Sequence, residues 1–224
     1  ILNQLKSRLE MGFMSNGHST AVNRAMSYFS QGSWYKELVE GIAFYQFLCA
    51  ILKDYDTRKT EIIHKLQTIG QKIFRKAYLL ADMTVDHEGM QICTKPLVSF
   101  AGKLYTAPMS AVDCAVKTIG TCPRHNEAFI TSGMVQYNAC VGNFGGSGMA
   151  YSGSMNVLKN VLGNEYLWNN VRVKGGAYGC MCGFAPSGNG YFTSYRDPNL
   201  AKTYDIYANA ADYVRSLTLD DREL

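Results

Sequence analysis

The hydrophobic period changes once along this chain, and that change constrains the fold more than any other feature. From Ile1 to about Lys76 the apolar residues recur every three or four positions, the spacing of amphipathic helices. Beyond Phe129 short runs rich in Val, Phe, Tyr and Ile alternate with turns that carry Gly, Pro and Asn, as antiparallel strands do. Helices and strands segregated into ααβ and βααββα blocks predict an α+β fold, a sheet covered on one face by helices.

Within the first block Ile1, Leu2, Leu5, Leu9 and Phe13 already run at helical spacing, so the chain is expected to start inside a helix. Ser19 is placed to cap a helix through about Phe29. From Trp34 the positions Leu38, Ile42, Tyr45, Leu48 and Leu52 predict one long helix to about Asp54. Asp56 or Thr57 would cap a second, with Ile62, Leu66, Ile69 and Ile73 inward and Glu61 paired with Lys65 outside. Two long helices and a tight turn make an antiparallel hairpin. Ala77 to Val85 (AYLLADMTV) is β-prone and reads as a strand. Residues 87–125, interrupted by Pro96, Pro108 and Pro123, read as a linker with room for one helix.

In the second block Phe129 to Phe144 suggests two short strands, or one bulged strand, around Gly133. GNFGGSG then leads into a helix carrying Met155, Leu158, Val161 and Leu162, and a shorter helix is expected around Leu167. Residues 177–185 and 191–196 flank Pro186-Ser187-Gly188-Asn189-Gly190, a hairpin signal with the turn placed at Ser187 to Gly190. Asp197-Pro198 reads as a cap with Pro at the first helical position, and Leu200, Tyr204, Tyr207, Ala211 and Val214 as one face of the helix after it. At the end Leu217, Thr218 and Asp221 resemble a staple and capping box for a helix the last residues do not complete. Both ends thus suggest a segment of a longer polypeptide.

Charge says little about partners. The net charge is +4, charged residues are 18% of the chain against roughly 25% in typical globular proteins, and no Lys/Arg cluster forms a nucleic-acid footprint. The 15 Tyr, 10 Phe and 2 Trp could stack single-stranded bases, but most fall at core spacing. No apolar run reaches the ~18 residues of a membrane span, so no membrane partner is expected. Seven cysteines, an odd number, favour free thiols in a reducing intracellular compartment, cytoplasmic or organelle matrix.

Few residues are arranged for chemistry. GNFGGSG lacks the Lys-Ser/Thr of a phosphate loop and reads as a plain turn. Cys180 and Cys182 project the same way from a strand, half a metal site without its other half, and Cys114, Cys122 and His125 have no ligand spacing. His18, His64, His87 and His125 stand alone. No metal site is predicted.

The segment above background is Leu167 to Asn199. YLWNNVRVKGGAYG, followed by the hairpin into YFTSYRDPNL, resembles the C-terminal half of presequence proteases, within the pitrilysin- and insulinase-like zinc metallopeptidases. GHSTAVNRAMSYFSQGSWYKELVEGIAFYQFL and residues 58–85 resemble the helix-rich end of that family's third domain, and SGSMNVLKNVL the helix before the motif. The likeness covers residues 1 to about 86 and about 126 to 224.

The resemblance implies metallohydrolase-like halves of the pitrilysin type with an N-terminal helical hairpin. Residues 1–95 would be the C-terminal part of the third domain, 96–125 a linker and 126–224 the first part of the fourth. It implies a peptidase acting on unstructured peptides, with zinc bound outside this segment through H-x-x-E-H, which is absent here. The partner would be the N-terminal half of the same polypeptide. Arg172 and Tyr178 match the family's Arg and Tyr that reach the substrate, donors suited to a peptide carbonyl and its oxyanion. Gly175 and Gly176 let the backbone turn closely between them. Without the H-x-x-E-H half, the segment alone is expected to be inactive. The alternative is a non-catalytic partner subunit related to such peptidases.

Overall fold

The computed structural model describes residues 1–106, 119–123 and 127–218. Two compact units divide the chain, one built from Ile1–Ala50 and Ile119–Leu224, the other from Ile51–Thr118. The fold is α+β, as the change of period predicts.

In the first unit α1 (Leu2–Ser15) and α2 (Gly17–Met26) meet at Asn16. Ser19 lies inside the first turn of α2 instead of capping it. The long helix expected from Trp34 is two, α3 (Gln31–Glu40) and α4 (Ile42–Lys53), broken at an extended Gly41. A buried carboxylate explains the break. Glu37 is fully buried and turns back to accept a hydrogen bond from the Ala43 backbone N–H at 3.0 Å, in effect capping α4. A Cβ at residue 41 would sit 2.2 Å from Glu37 Oε2. The periodic pattern continues across this junction, which is why periodicity alone misses it.

The sheet has strand order β1-β3-β2, all antiparallel, with β1 (Gln136–Asn143), β2 (Gly179–Phe184) and β3 (Asn189–Asp197). Of the two readings offered for 129–144, one strand forms, Gln136–Asn143, but the bulge is not in it: opposite the two-residue step from Gln136 to Asn138, β3 takes three residues from Ser194 to Asp197. The 177–196 hairpin forms with its turn two residues earlier than expected. Gly188 N–H donates to Ala185 O at 2.9 Å, so the turn is Ala185-Pro186-Ser187-Gly188, and Asn189 and Gly190 already pair in β3.

On one face of the sheet Cys180, Cys182, Phe184 and Phe192 pack against the main core. Its centre is a π-helix, Leu162–Val173, that continues α7 (Ser154–Val161) where a short α-helix was expected. The residues it buries, Leu162, Tyr166, Leu167 and Val171, recur at intervals of four and five, a wider repeat than the three and four of an α-helix. Lys174 N–H accordingly reaches back five residues to Asn169 O at 3.0 Å. Leu167 and Val171 have no exposed surface, each contributing about 1.5–3 kcal/mol of burial.

Helices α8 (Ala201–Ala208) and α9 (Ala210–Ser216) close the core. The helix starts at Ala201, later than Asp197-Pro198 suggests, because Asp197 serves a different purpose. Fully buried, it accepts from Asn138 Nδ2 at 3.1 Å, Thr203 Oγ1 at 2.7 Å and the Asn199 backbone at 2.8 Å. The inward face is Thr203, Tyr207 and Ala210 with Ile206, Tyr213 and Val214, whereas Leu200, Tyr204 and Ala211 are exposed. Helices cover both sheet faces. Tyr195, on the face opposite Phe192, meets the His18 ring of α2 at 5.1 Å.

In the second unit α5 (Tyr55–Ile73) carries the expected Glu61–Lys65 pair at 2.5 Å, but Leu66, Ile69 and Ile73 are exposed rather than inward. The principal buried cluster of the described residues lies in the first unit, so this apolar stripe is not part of it. The strand expected at Ala77–Val85 does not form. One 3-10 turn (Lys76–Tyr78) precedes irregular backbone, with Leu80 91% exposed and no strand beside it among the described residues. In the segment read as a linker with room for one helix, residues 87–102 form that helix, α6 (His87–Gly102), capped by Asp86 through Gly89 N–H at 2.7 Å, and Pro96 lies inside it rather than interrupting it. Pro108, Cys114, His125 and Asp221 lie outside the described residues.

Candidate functional site

The π-helix places Trp168 and Arg172 four residues apart on its outer side. The Arg172 guanidinium stacks over the Trp168 ring at 4.7 Å. The helix then ends in a closing motif set by Gly175 and Gly176. Gly176 N–H donates to Arg172 O at 2.8 Å and Ala177 N–H to Val171 O at 3.1 Å, with Gly176 at φ +81°, a left-handed closure. A Cβ on Gly175 would stand 2.4 Å from Val171 O. Asn199 Nδ2 holds the Gly175 carbonyl at 2.6 Å, tying the closure to the Asp197 network.

This reversal brings Tyr178 back beside Arg172. The Tyr178 N–H donates to Tyr195 O at 3.0 Å and Arg196 O at 3.2 Å, and the Arg172 guanidinium lies 5.3 Å from the Tyr178 ring. Tyr178 meets Tyr195 edge-on at 5.8 Å, and Arg196 lies over Tyr195 at 5.4 Å. Behind Tyr195 stands His18, whose Nδ1 is buried with no hydrogen-bond partner among the described residues; burial holds its pKa below the ordinary imidazole value.

Arg172, Tyr178, Gly176 and Arg196 with Val173 and Ala177 line an open cleft of about 420 Å³. No carboxylate among the described residues pairs with either arginine. Tyr178 is 64% exposed. The site is therefore rich in donors: two guanidiniums and a phenol lining an open cleft, Arg172 half-buried and Tyr178 and Arg196 exposed, held from behind by rings and backbone. It can bind a carbonyl, an oxyanion or a carboxylate.

The structure thus brings together Arg172, Tyr178, Gly175 and Gly176. Sequence reasoning missed Trp168 and Arg196. Trp168 was findable, being one turn before Arg172 in the same motif, whereas Arg196 sits at φ +48°, a backbone state no sequence signal announces.

The other candidates resolve as structure. Burial pushes the thiols of Cys180 and Cys182 up to about 11, so they are poor ligands and nucleophiles near neutrality. In GNFGGSG the Gly146 N–H is bonded to Asn143 Oδ1 and the Phe144 N–H to Gly188 O, leaving those amides unavailable to a phosphate. Among the described residues no three His, Cys, Asp or Glu side chains converge as a metal site. A larger cavity of about 700 Å³, lined by Tyr28, Tyr45, Phe129, Tyr137 and Tyr204, holds none of the predicted site residues.

Comparison with known proteins places this arrangement. Residues 126–224 match the PreP C-terminal domain, and residues 1–51 match a peptidase-associated family. Together these matches support a presequence-protease-like segment. The chain is 33% identical over its whole length to Protein HypA of Clostridium perfringens and 31% identical over its whole length to Presequence protease 1, chloroplastic/mitochondrial, of Arabidopsis thaliana. A mitochondrial presequence protease of Gibberella zeae is 26% identical over 94% of the chain. The chain spans about a fifth of the length of these curated relatives, 22%, 20% and 21% respectively. The donor-rich cleft lies wholly within the residues matched to the PreP C-terminal domain.

Proposed function

We propose that this chain is part of a zinc-dependent metallopeptidase that degrades unstructured peptides, and that it forms part of the substrate chamber wall. The observation that carries this reading is the cleft itself: a half-buried Arg172 and an exposed Tyr178 held side by side at its lining, with no internal acceptor for their N–H and O–H groups among the described residues. Negative charge developing on a scissile carbonyl oxygen would supply that acceptor. Both donors are preorganised, Arg172 by Trp168 and Tyr178 by the backbone bonds to β3, so little reorganisation is needed when charge appears. Gly176, with no side chain at the cleft, lets a peptide backbone approach, and Gly175 supports it.

Zinc does not fit the residues described here, since no three ligands converge. The metal would be held by the N-terminal half of the same polypeptide, which is the partner this chain requires; alone it should bind no zinc and cleave no peptide. A non-catalytic subunit is the alternative, excluded by an H-x-x-E-H in the same polypeptide. The relatives named for mitochondria and chloroplasts support an organelle matrix, and the free cysteines a reducing compartment.

The test uses the full-length protein that carries this chain. Tyr178→Phe removes one hydroxyl and should lower kcat on the order of a hundred- to a thousandfold with folding intact. Arg172→Lys should fail similarly, because a point charge cannot replace the guanidinium fork. Both variants keeping kcat within about threefold while KM rises would make the pair a uniform binding contact and overturn the assignment.

A further inference from the structure

The catalytic reading uses Arg172 and Tyr178 and leaves a second guanidinium in the same cleft without a task. Arg196 is exposed, lines the cleft and makes no ion pair with any described residue. Its side chain stacks over Tyr195, which fixes the plane of the guanidinium and leaves its N–H edges free. It also carries the one left-handed backbone among non-glycine described residues, φ +48°. Such conformations cost free energy and persist where the surroundings dictate them. Here the dictating contacts are visible: the Arg196 carbonyl accepts from Tyr178 N–H, while the next residue, Asp197, is anchored in its buried network. The chain is bent so that the anchored carboxylate turns inward and the arginine outward.

The cleft therefore has a guanidinium on each side of the Tyr178–Tyr195 edge-on pair, Arg172 over one ring and Arg196 over the other. One donor set meets a carbonyl. Two unneutralised guanidiniums around one opening exceed what a neutral carbonyl needs, and their chemistry matches a carboxylate. We propose that Arg196 is a specificity-determining residue which, with Arg172, binds a carboxylate of the peptide substrate. This rests on the reading of the cleft as a peptide site. The carboxylate comes either from the peptide's C-terminus or from an Asp or Glu side chain, and the two sources are separable.

The experiment measures binding of fluorescent unstructured peptides to the full chain by anisotropy. One pair of probes ends in a free carboxylate or a C-terminal amide, and a second pair, both amidated, carries Glu or Gln at one internal position. The chain should prefer the carboxylate member of at least one pair by about tenfold or more, and the responding pair names the source. Arg196→Asn tolerates the left-handed backbone and removes the guanidinium. It should bring the two members of that pair within about twofold. Arg196→Lys should keep part of the preference. Equal binding within both pairs, no binding of any probe, or a preference that survives Arg196→Asn would overturn the proposal. Failure here is distinct from failure of the catalytic reading. A normal kcat in full-length Tyr178→Phe alongside an Arg196-dependent preference would remove the catalytic role and leave the carboxylate site standing, and the opposite pattern removes only the carboxylate site.

Discussion

Arg24 and Arg172 are both helix-borne arginines stacked on aromatic rings, yet one is buried and ion-paired and the other, half-buried, lines an open cleft without an ion pair among the described residues. Arg24 lies 5.8 Å from the Tyr28 ring and 5.7 Å from Phe129, distances close to those of Arg172 over its own rings. Arg24, however, is 8% exposed and neutralised twice, by Glu37 at 3.2 Å and by Glu127 through two N–H bonds at 2.6 and 3.1 Å. Burial works to lower its pKa, and the Glu127 bond and charge, aided by Cys122 and Glu37, more than reverse this. Ring stacking is common to both sites, so it does not distinguish a functional arginine. The missing counter-charge does.

If that distinction holds, removing one partner from the neutralised site should have the largest effect on stability in this molecule. Glu37 accepts from Arg24, Asn23 and the Ala43 backbone, so Glu37→Ala leaves a buried guanidinium and two amides short of an acceptor. A loss of about 3–5 kcal/mol is expected in urea denaturation. Arg172→Gln and Arg196→Asn should each stay within about 0.5 kcal/mol of the parent. A comparable loss from Arg172→Gln would show that the cleft arginine is structural after all, and the comparison would collapse.

The next effect concerns the turn that carries Tyr178 to Arg172. Gly176→Ala imposes a Cβ on a left-handed residue and should cost about 1–2 kcal/mol, read as a lowered thermal midpoint, with Gly176→Asn milder. If Gly176→Ala were neutral, the closure would be adaptable, and the fixed spacing of Arg172 and Tyr178 would need another source.

The two arginine sites also differ in how far the sequence discloses them. Arg172 and Tyr178 sit in a contiguous motif whose glycines, turn residues and strands are local signals, so the hairpin and the pair beside it were legible. The Arg24 network was not, because Glu37 and Glu127 are distant in sequence and each reads as an ordinary surface charge. The same blindness hid the break at Gly41, which depends on where the Glu37 carboxylate goes. It also hid the cap role lost by Asp197 to Asn138 and Thr203. The strand misread at Ala77–Val85 failed for the complementary reason: β-prone residues form a strand only when another strand is there to pair with.

The smallest expected effect sharpens the comparison most directly, because it reads the field of Arg172 at a neighbour. Burial raises the Cys180 thiol to about 11, the charge of Arg172 works to lower it, and Asp197 adds to the rise. Burial prevails, so the guanidinium is not spending its charge on a thiolate. The sign for stability follows. A raised thiol pKa favours the neutral form in the fold, so the contribution is complete below the ordinary value near 9 and fades as pH climbs from there through about 11. Near pH 8 the thiolate fraction is roughly one in a thousand against one in ten for an unperturbed thiol, so alkylation in the folded chain should run about a hundredfold slower than in urea. Arg172→Gln removes the one opposing charge and should slow Cys180 labelling a further two- to threefold, with Cys182 unchanged as the internal control. Peptide mapping by mass spectrometry separates the two sites. Labelling of Cys180 that quickens in Arg172→Gln would mean the side chain shields the thiol sterically, packed inward as Arg24 is, and the contrast between the two arginines would lose its physical basis.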